Sequence, residues 1–400
     1  MSSKGNAVVA QSGGPTAVIN NSLYGVISGW QKQGMEGKLY GALFGITGVL
    51  DEKFIDLTAQ PAERVQNLRH TPGAALGSCR YKVKAEDDYQ RLINAFKKHD
   101  VRHFFYVGGN DSMDTADKVH QLAVKQNYDM QVIGVPKTVD NDLPITDHCP
   151  GYGSAAKYLA TTVMNTGLDL KSLITKNRIL ILEAMGRNTG WLAAATALAR
   201  RNPGDPPHLI YLPETAFSRE EFLKDVERVY KELNHVYVVV SEGIVDEKGQ
   251  YVFAEASKDA FGHAQLGGLA DALKSMVEKE LALKTRCVIP STIQRSSMYL
   301  ASRVDAEEAF MVGEKAVELA AQDKSGLMVT LDRIEEDYLC VAGSVELNKV
   351  SNVEKKLPME WISEDKTFVT RDFLRYAAPL IRGEVTIPMK DGLPEYCCFV

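Results

Sequence analysis

Two short apolar runs, each stopped by turn residues and followed by acids, constrain the fold of this 400-residue chain more than any other feature. Residues 104–107 (FFYV) are broken by Gly108 and Gly109, and then Asn110, Asp111 and Ser112 precede a helical pattern. That order reads as a strand, a tight turn and a helix start, with Asn, Asp or Ser able to cap the exposed amides. Residues 132–135 (VIGV) are stopped by Pro136 and followed by Lys137, Thr138, Asp140, Asn141 and Asp142. Two parallel strands ending side by side deliver glycines, carboxylates and a lysine to one sheet edge, where open α/β folds bind ligands. These are the residue types of a magnesium-dependent phosphoryl-transfer site. On an extended backbone Asp140 and Asp142 share a side, so one can accept a hydroxyl proton while the other balances a metal ion. The plainer reading of the triplet is a turn rich in Asx hydrogen bonds.

Composition narrows the alternatives. A chain that is 45% hydrophobic and 24% charged, with a net charge of −6 and no basic block, fits a globular protein and not a broad nucleic-acid binder. No apolar run reaches membrane-spanning length and residues 1–10 lack a secretory apolar region, so a cytoplasmic protein is expected. The six cysteines are scattered without metal spacing and read as reduced thiols.

Further anion-binding candidates are spread along the chain. The apolar run 6–10 enters SGGPT, where Gly13 and Gly14 permit either close approach to a phosphate or a plain strand-to-helix turn, with a helix able to start after Thr16. Gly73 and Gly77 make a loop followed by Arg80, Lys82 and Lys84, and Arg80 is either a phosphate fork or a solvated charge. Apolar residues at helical spacing follow near 89–96. Strand 178–183 leads into Met185, Gly186 and Arg187 at the mouth of a helix, an arrangement suited to a sugar phosphate. Glu242 ends strand 236–240, a polar excursion occupies 246–262, and Arg286 and Arg295 flank a strand. The fingerprint GxGxxG is absent, so a dinucleotide is not supported.

PKTVDND, MGRNTG, SEGI and IQR occur in this order and spacing, and over residues 7–342 the chain resembles the phosphofructokinase family, most closely its pyrophosphate-dependent branch. The resemblance implies an α/β, two-lobed fold with mainly parallel sheets sandwiched by helices and an active site in the cleft. It assigns 1–150 plus about 294–345 to the phosphoryl donor and 151–293 plus about 346–400 to the sugar. It also implies Mg2+ and a homodimer or homotetramer with active sites completed across an interface. The implied substrates are fructose 6-phosphate and pyrophosphate, and the reaction is reversible.

Carried onto this sequence, Asp140 is the implied general base, with Thr138 and Asp142 beside it. Met185, Gly186, Arg187, Glu242 and Arg295 hold the sugar phosphate, and Arg178 and Arg286 reach it from a neighbouring subunit. Gly13, Gly14, Arg80, Gly109, Asn110, Asp111 and Ser112 line the donor. ATP-using members resemble GGDGS and PGTIDND, whereas Asp111 and Lys137 stand here. A carboxylate about 4 Å from a nucleotide phosphate adds roughly 4 kcal/mol of repulsion at an effective dielectric of 20, and Lys137 neutralises charge on the transferring phosphate. Asn110 stands where the family has a magnesium-binding Asp, leaving the metal to a water, to Asp111 or to the donor. Thr292 replaces a frequent His, and Tyr24 and Ser28 replace effector-binding arginines. The alternatives are an ATP-dependent phosphofructokinase and a non-catalytic sugar-phosphate-binding subunit.

Overall fold

The computed structural model describes residues 4–83, 86–173, 178–253, 266–335 and 338–400. Lys84 and most of the excursion read at 246–262 lie outside them. In chain order the elements are β1 (Asn6–Gln11), α1 (Ile19–Lys32), β2 (Leu39–Ala42), α2 (Ile46–Leu50), β3 (Phe54–Asp56), α3 (Ala62–Asn67), α4 (Glu86–Lys98), β4 (Val101–Gly108), α5 (Asn110–Lys125) and β5 (Gln131–Pro136). There follow α6 (Tyr152–Ser172), β6 (Ile179–Ala184), α7 (Trp191–Ala195), β7 (Leu209–Tyr211), α8 (Arg219–Leu233), β8 (Val236–Ser241), α9 (Leu269–Leu281) and β9 (Thr285–Val288). The last are α10 (Ile293–Ser296), α11 (Arg303–Ala321), β10 (Leu327–Glu335), β11 (Leu339–Glu346), α12 (Arg371–Ala377) and the short pair β12 (Met389–Lys390) and β13 (Leu393–Pro394). They belong to two compact units, one of residues 1–154, 295–354 and 383–400, the other of 155–294 and 355–382. The sequence had grouped 346–400 with the sugar lobe; 346–354 and 383–400 instead pack in the first unit, where Cys397 N donates to Thr71 Oγ1 at 2.9 Å.

The first unit is built on a seven-stranded sheet in the order β11-β10-β5-β4-β1-β2-β3. Its central pairs are parallel, and only the edge strands β3 and β11 run antiparallel to their neighbours. Alternate side chains of β1 enter different helical layers. Ala7 and Val9 pack with Leu23 of α1 and Val312 of α11, while Val8 and Ala10 pack with Phe96 of α4 and Met113 of α5. Burial on both faces explains why the central strands read as continuous apolar runs without alternation. Helices α1 and α11 meet at glycines: a Cβ on Gly25 would overlap Phe310 O, and one on Gly313 would overlap Ser22 O.

A buried charge network ties the loop after β5 to this frame. His148 Nδ1 lies 2.8 Å from Asp147 Oδ1, and its Nε2 lies 2.6 Å from Glu308 Oε2 on α11. Arg333 on β10 donates to Asp147 at 3.0 Å, and the Tyr338 hydroxyl donates to Glu308. Burial opposes the charged imidazole, but Glu308 and Asp147 together outweigh it and raise the His148 pKa to about 9.

The second unit carries a four-stranded parallel sheet in the order β7-β8-β6-β9. Ile179, Ile181, Val236 and Val238 pack against Phe222 and Val226 of α8 and Leu273 of α9. Residues 355–382 return to this unit through an aromatic group. Trp361 and Tyr376 lie 5.0 Å apart, Trp191 and Tyr376 5.4 Å apart, and Trp191 Nε1 donates to Lys355 O at 3.1 Å. The β7 edge is covered, since Ile210 N donates to Thr367 O at 2.7 Å.

The His148 network has a testable pH signature. A raised folded pKa contributes stability that is complete below the unfolded value of 6.5 and is lost as pH rises through about 9. Urea unfolding at stepped pH should show that decline in the native protein and a weaker one in His148→Gln; equal slopes would remove His148 as its source.

Candidate active site

The parallel register of the first unit brings three turns to one sheet edge. Gln11 pairs with Val107 and Gly108 pairs with Pro136, so β1, β4 and β5 end together. Lys137 leaves β5 there, its backbone N donating to Gly108 O at 3.0 Å and its ammonium to Gly14 O at 2.9 Å. Its side chain is only 3% exposed. Burial, and then the neighbouring Arg295 guanidinium, lower its pKa to about 8, while Asp140 and Asp142 pull the other way. Gly13 has φ +75°, the left-handed region that favours glycine, and a Cβ on Gly14 would push aside the end of the Arg295 guanidinium where two cations converge. Loop 78–80 is fastened to the same turn: Ser78 Oγ donates to Gly13 O at 2.6 Å, and Gly13 N donates to Cys79 O at 3.1 Å. Arg80 follows directly, close enough to act on the Lys137 charge. The helix after the first turn begins at Ile19, later than its expected start after Thr16.

At the end of β4, Gly109 precedes the first turn of α5 and no side chain caps that helix. Asn110 turns instead to residues 352–353, donating to Val353 O at 2.5 Å and accepting from Asn352 N at 2.7 Å. Asp111 is bound by Lys82 at 3.0 Å. Buried Ser112 donates its backbone N to Gly109 O at 3.0 Å. Lys137 and Asp111 thus occupy neighbouring turns, each with its own partner of opposite polarity. The backbone at 140–142 is not extended: Asn141 is left-handed at φ 54° and its Oδ1 accepts from Cys149 N at 3.0 Å. Asp140 N donates to Thr138 Oγ1 at 3.0 Å, so the triplet forms a tight hydrogen-bonded turn.

In the second unit the corresponding edge is formed by β6 and β8. Gly186, at φ +139°, is held from both sides, since its N donates to Glu242 Oε1 at 3.3 Å and its carbonyl accepts from Ser241 Oγ at 2.6 Å. Gly243 N adds a bond to the same carbonyl at 3.2 Å, and Arg187 is half-buried beside it. Met185 N donates to Gln294 Oε1 at 3.0 Å. The helix following this loop, α7, is only five residues long, so side chains and loop amides shape the site more than a macrodipole does. Two supports escaped sequence reading: Gln294, inside the IQR motif, and Glu214, whose Oε1 accepts from Gly190 N at 2.9 Å and Leu357 N at 3.1 Å. An acid five residues before the α8 start was the available signal for Glu214.

Arg178 and Arg286 are not brought to this edge within the chain. Arg178 precedes β6 while Met185 follows it, a separation of about 23 Å along extended backbone at roughly 3.3 Å per residue. Arg178 donates to the Tyr230 hydroxyl and to Asn234 Oδ1, the latter at 2.6 Å. Arg286 lies exposed within β9, paired in register with Leu180, not before the strand as the sequence suggested. Arg295 belongs to the first unit, beside Gly14 and Lys137.

A profile described as Phosphofructokinase matches residues 6–320, and the chain belongs to the phosphofructokinase family. The pyrophosphate–fructose 6-phosphate 1-phosphotransferase of Halomonas elongata is 45% identical over 397 residues, covering 98% of this chain and 95% of that protein. The crystal structure of the pyrophosphate-dependent phosphofructokinase of Marinobacter aquaeolei matches with a TM-score of 0.90 at 44% identity, covering 98% of this chain and 95% of that one. A sulfofructose kinase of Alkalicoccus urumqiensis is 34% identical over 362 residues, covering 90% of this chain and 92% of that protein. No helix among the described residues is long and apolar enough to cross a membrane.

The lowered Lys137 pKa predicts a pH-dependent affinity for anions at the first edge. Affinity for sulfate, whose charge is constant in this range, should fall as pH rises through about 8. NMR titration should show this fall in the native protein and not in Lys137→Met; a flat native profile would separate the ammonium from anion binding.

Proposed function

We propose that this protein transfers a phosphoryl group from pyrophosphate to the 1-hydroxyl of fructose 6-phosphate, giving fructose 1,6-bisphosphate and phosphate, in either direction. The observation that carries this reading is the Lys137 ammonium seated on Gly14 O, with Arg295, Asp140 and Asp142 acting on its charge. Such a buried cation neutralises charge on a transferring phosphate without reorganising. The pyrophosphate-dependent relatives support the same donor.

Asp140 takes the proton of the 1-hydroxyl as that oxygen bonds to phosphorus, and the bridging P–O bond breaks to release phosphate. Lys137 and Arg80 neutralise the leaving phosphate, while Asp111 and its Lys82 partner border the space a nucleotide would need. Met185, Gly186, Arg187 and Glu242 hold the sugar, while Arg295, beside Gly14 and Lys137, adds a second cation for the transferring phosphate. Arg178 and Arg286, remote from Met185 along the strands, serve a neighbouring subunit's sugar phosphate in a dimer or tetramer.

Magnesium fits this set only as an ion carried largely by the diphosphate. Asn110 Oδ1 already accepts from Asn352 N and Asp111 is paired with Lys82, so the protein would offer the ion few oxygens, Asp111 among them, and the diphosphate would supply the rest. When bound it neutralises diphosphate charge and aligns the phosphates. The reaction is one of soluble metabolites, and we place it in the cytoplasm.

Two measurements test the reading. Parallel assays of the purified protein should give pyrophosphate-dependent turnover well above that with ATP, with fructose 6-phosphate preferred over sulfofructose as acceptor. A higher ATP rate would select the kinase alternative, and sugar binding without turnover the non-catalytic one. Asp140→Ala should lose about 10²- to 10⁴-fold in kcat with little change in sugar affinity, the span of a general base. Near-native kcat would remove Asp140 from that role.

A further inference from the structure

We infer that residues 397–399 form a strap that holds the glycine loop at 71–80 in its donor-binding shape, with Phe399 and Arg64 as positioning residues. From below, the loop is fastened by β1 and α1 side chains: Leu76 N donates to Gln11 Oε1 at 3.0 Å and Ala75 N to Asn20 Oδ1 at 2.9 Å. From the other side it is met by a segment more than 300 residues away in sequence, as the separation of 326 between Thr71 and Cys397 shows. Cys397 N donates to Thr71 Oγ1 at 2.9 Å, and Phe399 N donates to Ala75 O at 2.8 Å. Cys397 is 7% exposed and belongs to the same apolar cluster as Ala75 and Leu76, with Phe399 packed against that cluster.

Arg64, on α3, locks the strap in place. Its Nη2 donates to Cys398 O at 2.7 Å, and its guanidinium lies 4.7 Å from the centre of the Phe399 ring. These contacts have no catalytic chemistry of their own. They reach the site through the backbone, because residues 78 and 79 are bonded to Gly13 and Arg80 comes next. An irregular loop closed on one side only would sample many conformations, and ordering it in advance removes that entropy from the binding step. The strap therefore belongs to the donor and not to the sugar, whose residues lie mainly in the other unit.

This inference rests on pyrophosphate being the donor, and its test keeps the two apart. In the full chain, Arg64→Ala and Phe399→Ala should each raise KM for pyrophosphate by about tenfold, the equivalent of one or two modest hydrogen bonds. KM for fructose 6-phosphate should stay within about twofold, and Arg64→Lys should recover part of the loss, since it keeps the charge but not the fork. A chain ended after Tyr396 should show the larger effect; should it fail to fold, the two substitutions decide. Equal rises in both KM values, or no change in either, would overturn the strap. Hydrogen exchange gives a readout independent of activity: the amides of Ala75 and Leu76 should lose protection in the variants. Unchanged protection would sink the inference even in an active enzyme, whereas lost protection in a protein inert with pyrophosphate would uphold the strap and reject the donor.

Discussion

The shared ending of β1, β4 and β5 governs the chemistry available to this protein. A parallel sheet sends every strand out through the same edge, and here Gln11, Val107 and Pro136 reach it in register-linked positions. The turns that follow therefore have no choice of neighbour. Lys137 falls against Gly13 and Gly14, where its buried ammonium donates to Gly14 O at 2.9 Å and a Cβ on Gly13 would crowd it at 3.2 Å. An uncompensated charge at 3% exposure would be costly. Gly14 O, Asp140 and Asp142 offset that cost, and Arg295 restores part of it, so the lysine is poised to gain from an arriving anion.

The second unit reaches the same end with different groups. At the ends of β6 and β8 the backbone of Gly186 is gripped by Glu242, Ser241 and Gly243, which holds Arg187 beside a shaped loop. Polar side chains here satisfy backbone, and the backbone so fixed sets where Met185 and Arg187 stand. Gln294 and Glu214 extend this pattern outward, each accepting from an amide of the 185–190 loop. Loops of this kind are precise only when their amides and carbonyls are committed. That is also why the 71–80 loop gains from contacts made so far along the chain.

Several features were legible before any coordinates. The apolar runs at 104–107 and 132–135 are strands because both faces are covered by helices, and the turn residues after them do come together at one sheet edge. The order of PKTVDND, MGRNTG, SEGI and IQR led to the family that the profile match shows. Local geometry was less legible. The DND triplet reads as extended only if Asn141 stays out of the left-handed region, and its bond to Cys149 N holds it there. Asn110 resembles a cap or a metal ligand in sequence, yet residues 352–353 claim its amide. Arg295 sits next to Gln294 in the chain, but the two side chains serve different units.

What the sequence alone determined is the central strands near 6–10, 104–107, 132–135, 178–183 and 236–240, the turns that end them and the family to which they belong, because short-range hydrophobic pattern and turn chemistry act over a few residues. What only the tertiary structure decided is which partner each charged side chain takes: Lys82 for Asp111, Asp147 and Glu308 for His148, Gly14 for Lys137, Arg64 for the strap. The physical reason is distance in sequence. Electrostatic and hydrogen-bonding choices are made among groups that folding brings within a few ångströms, and the chain's order carries no direct record of those neighbours.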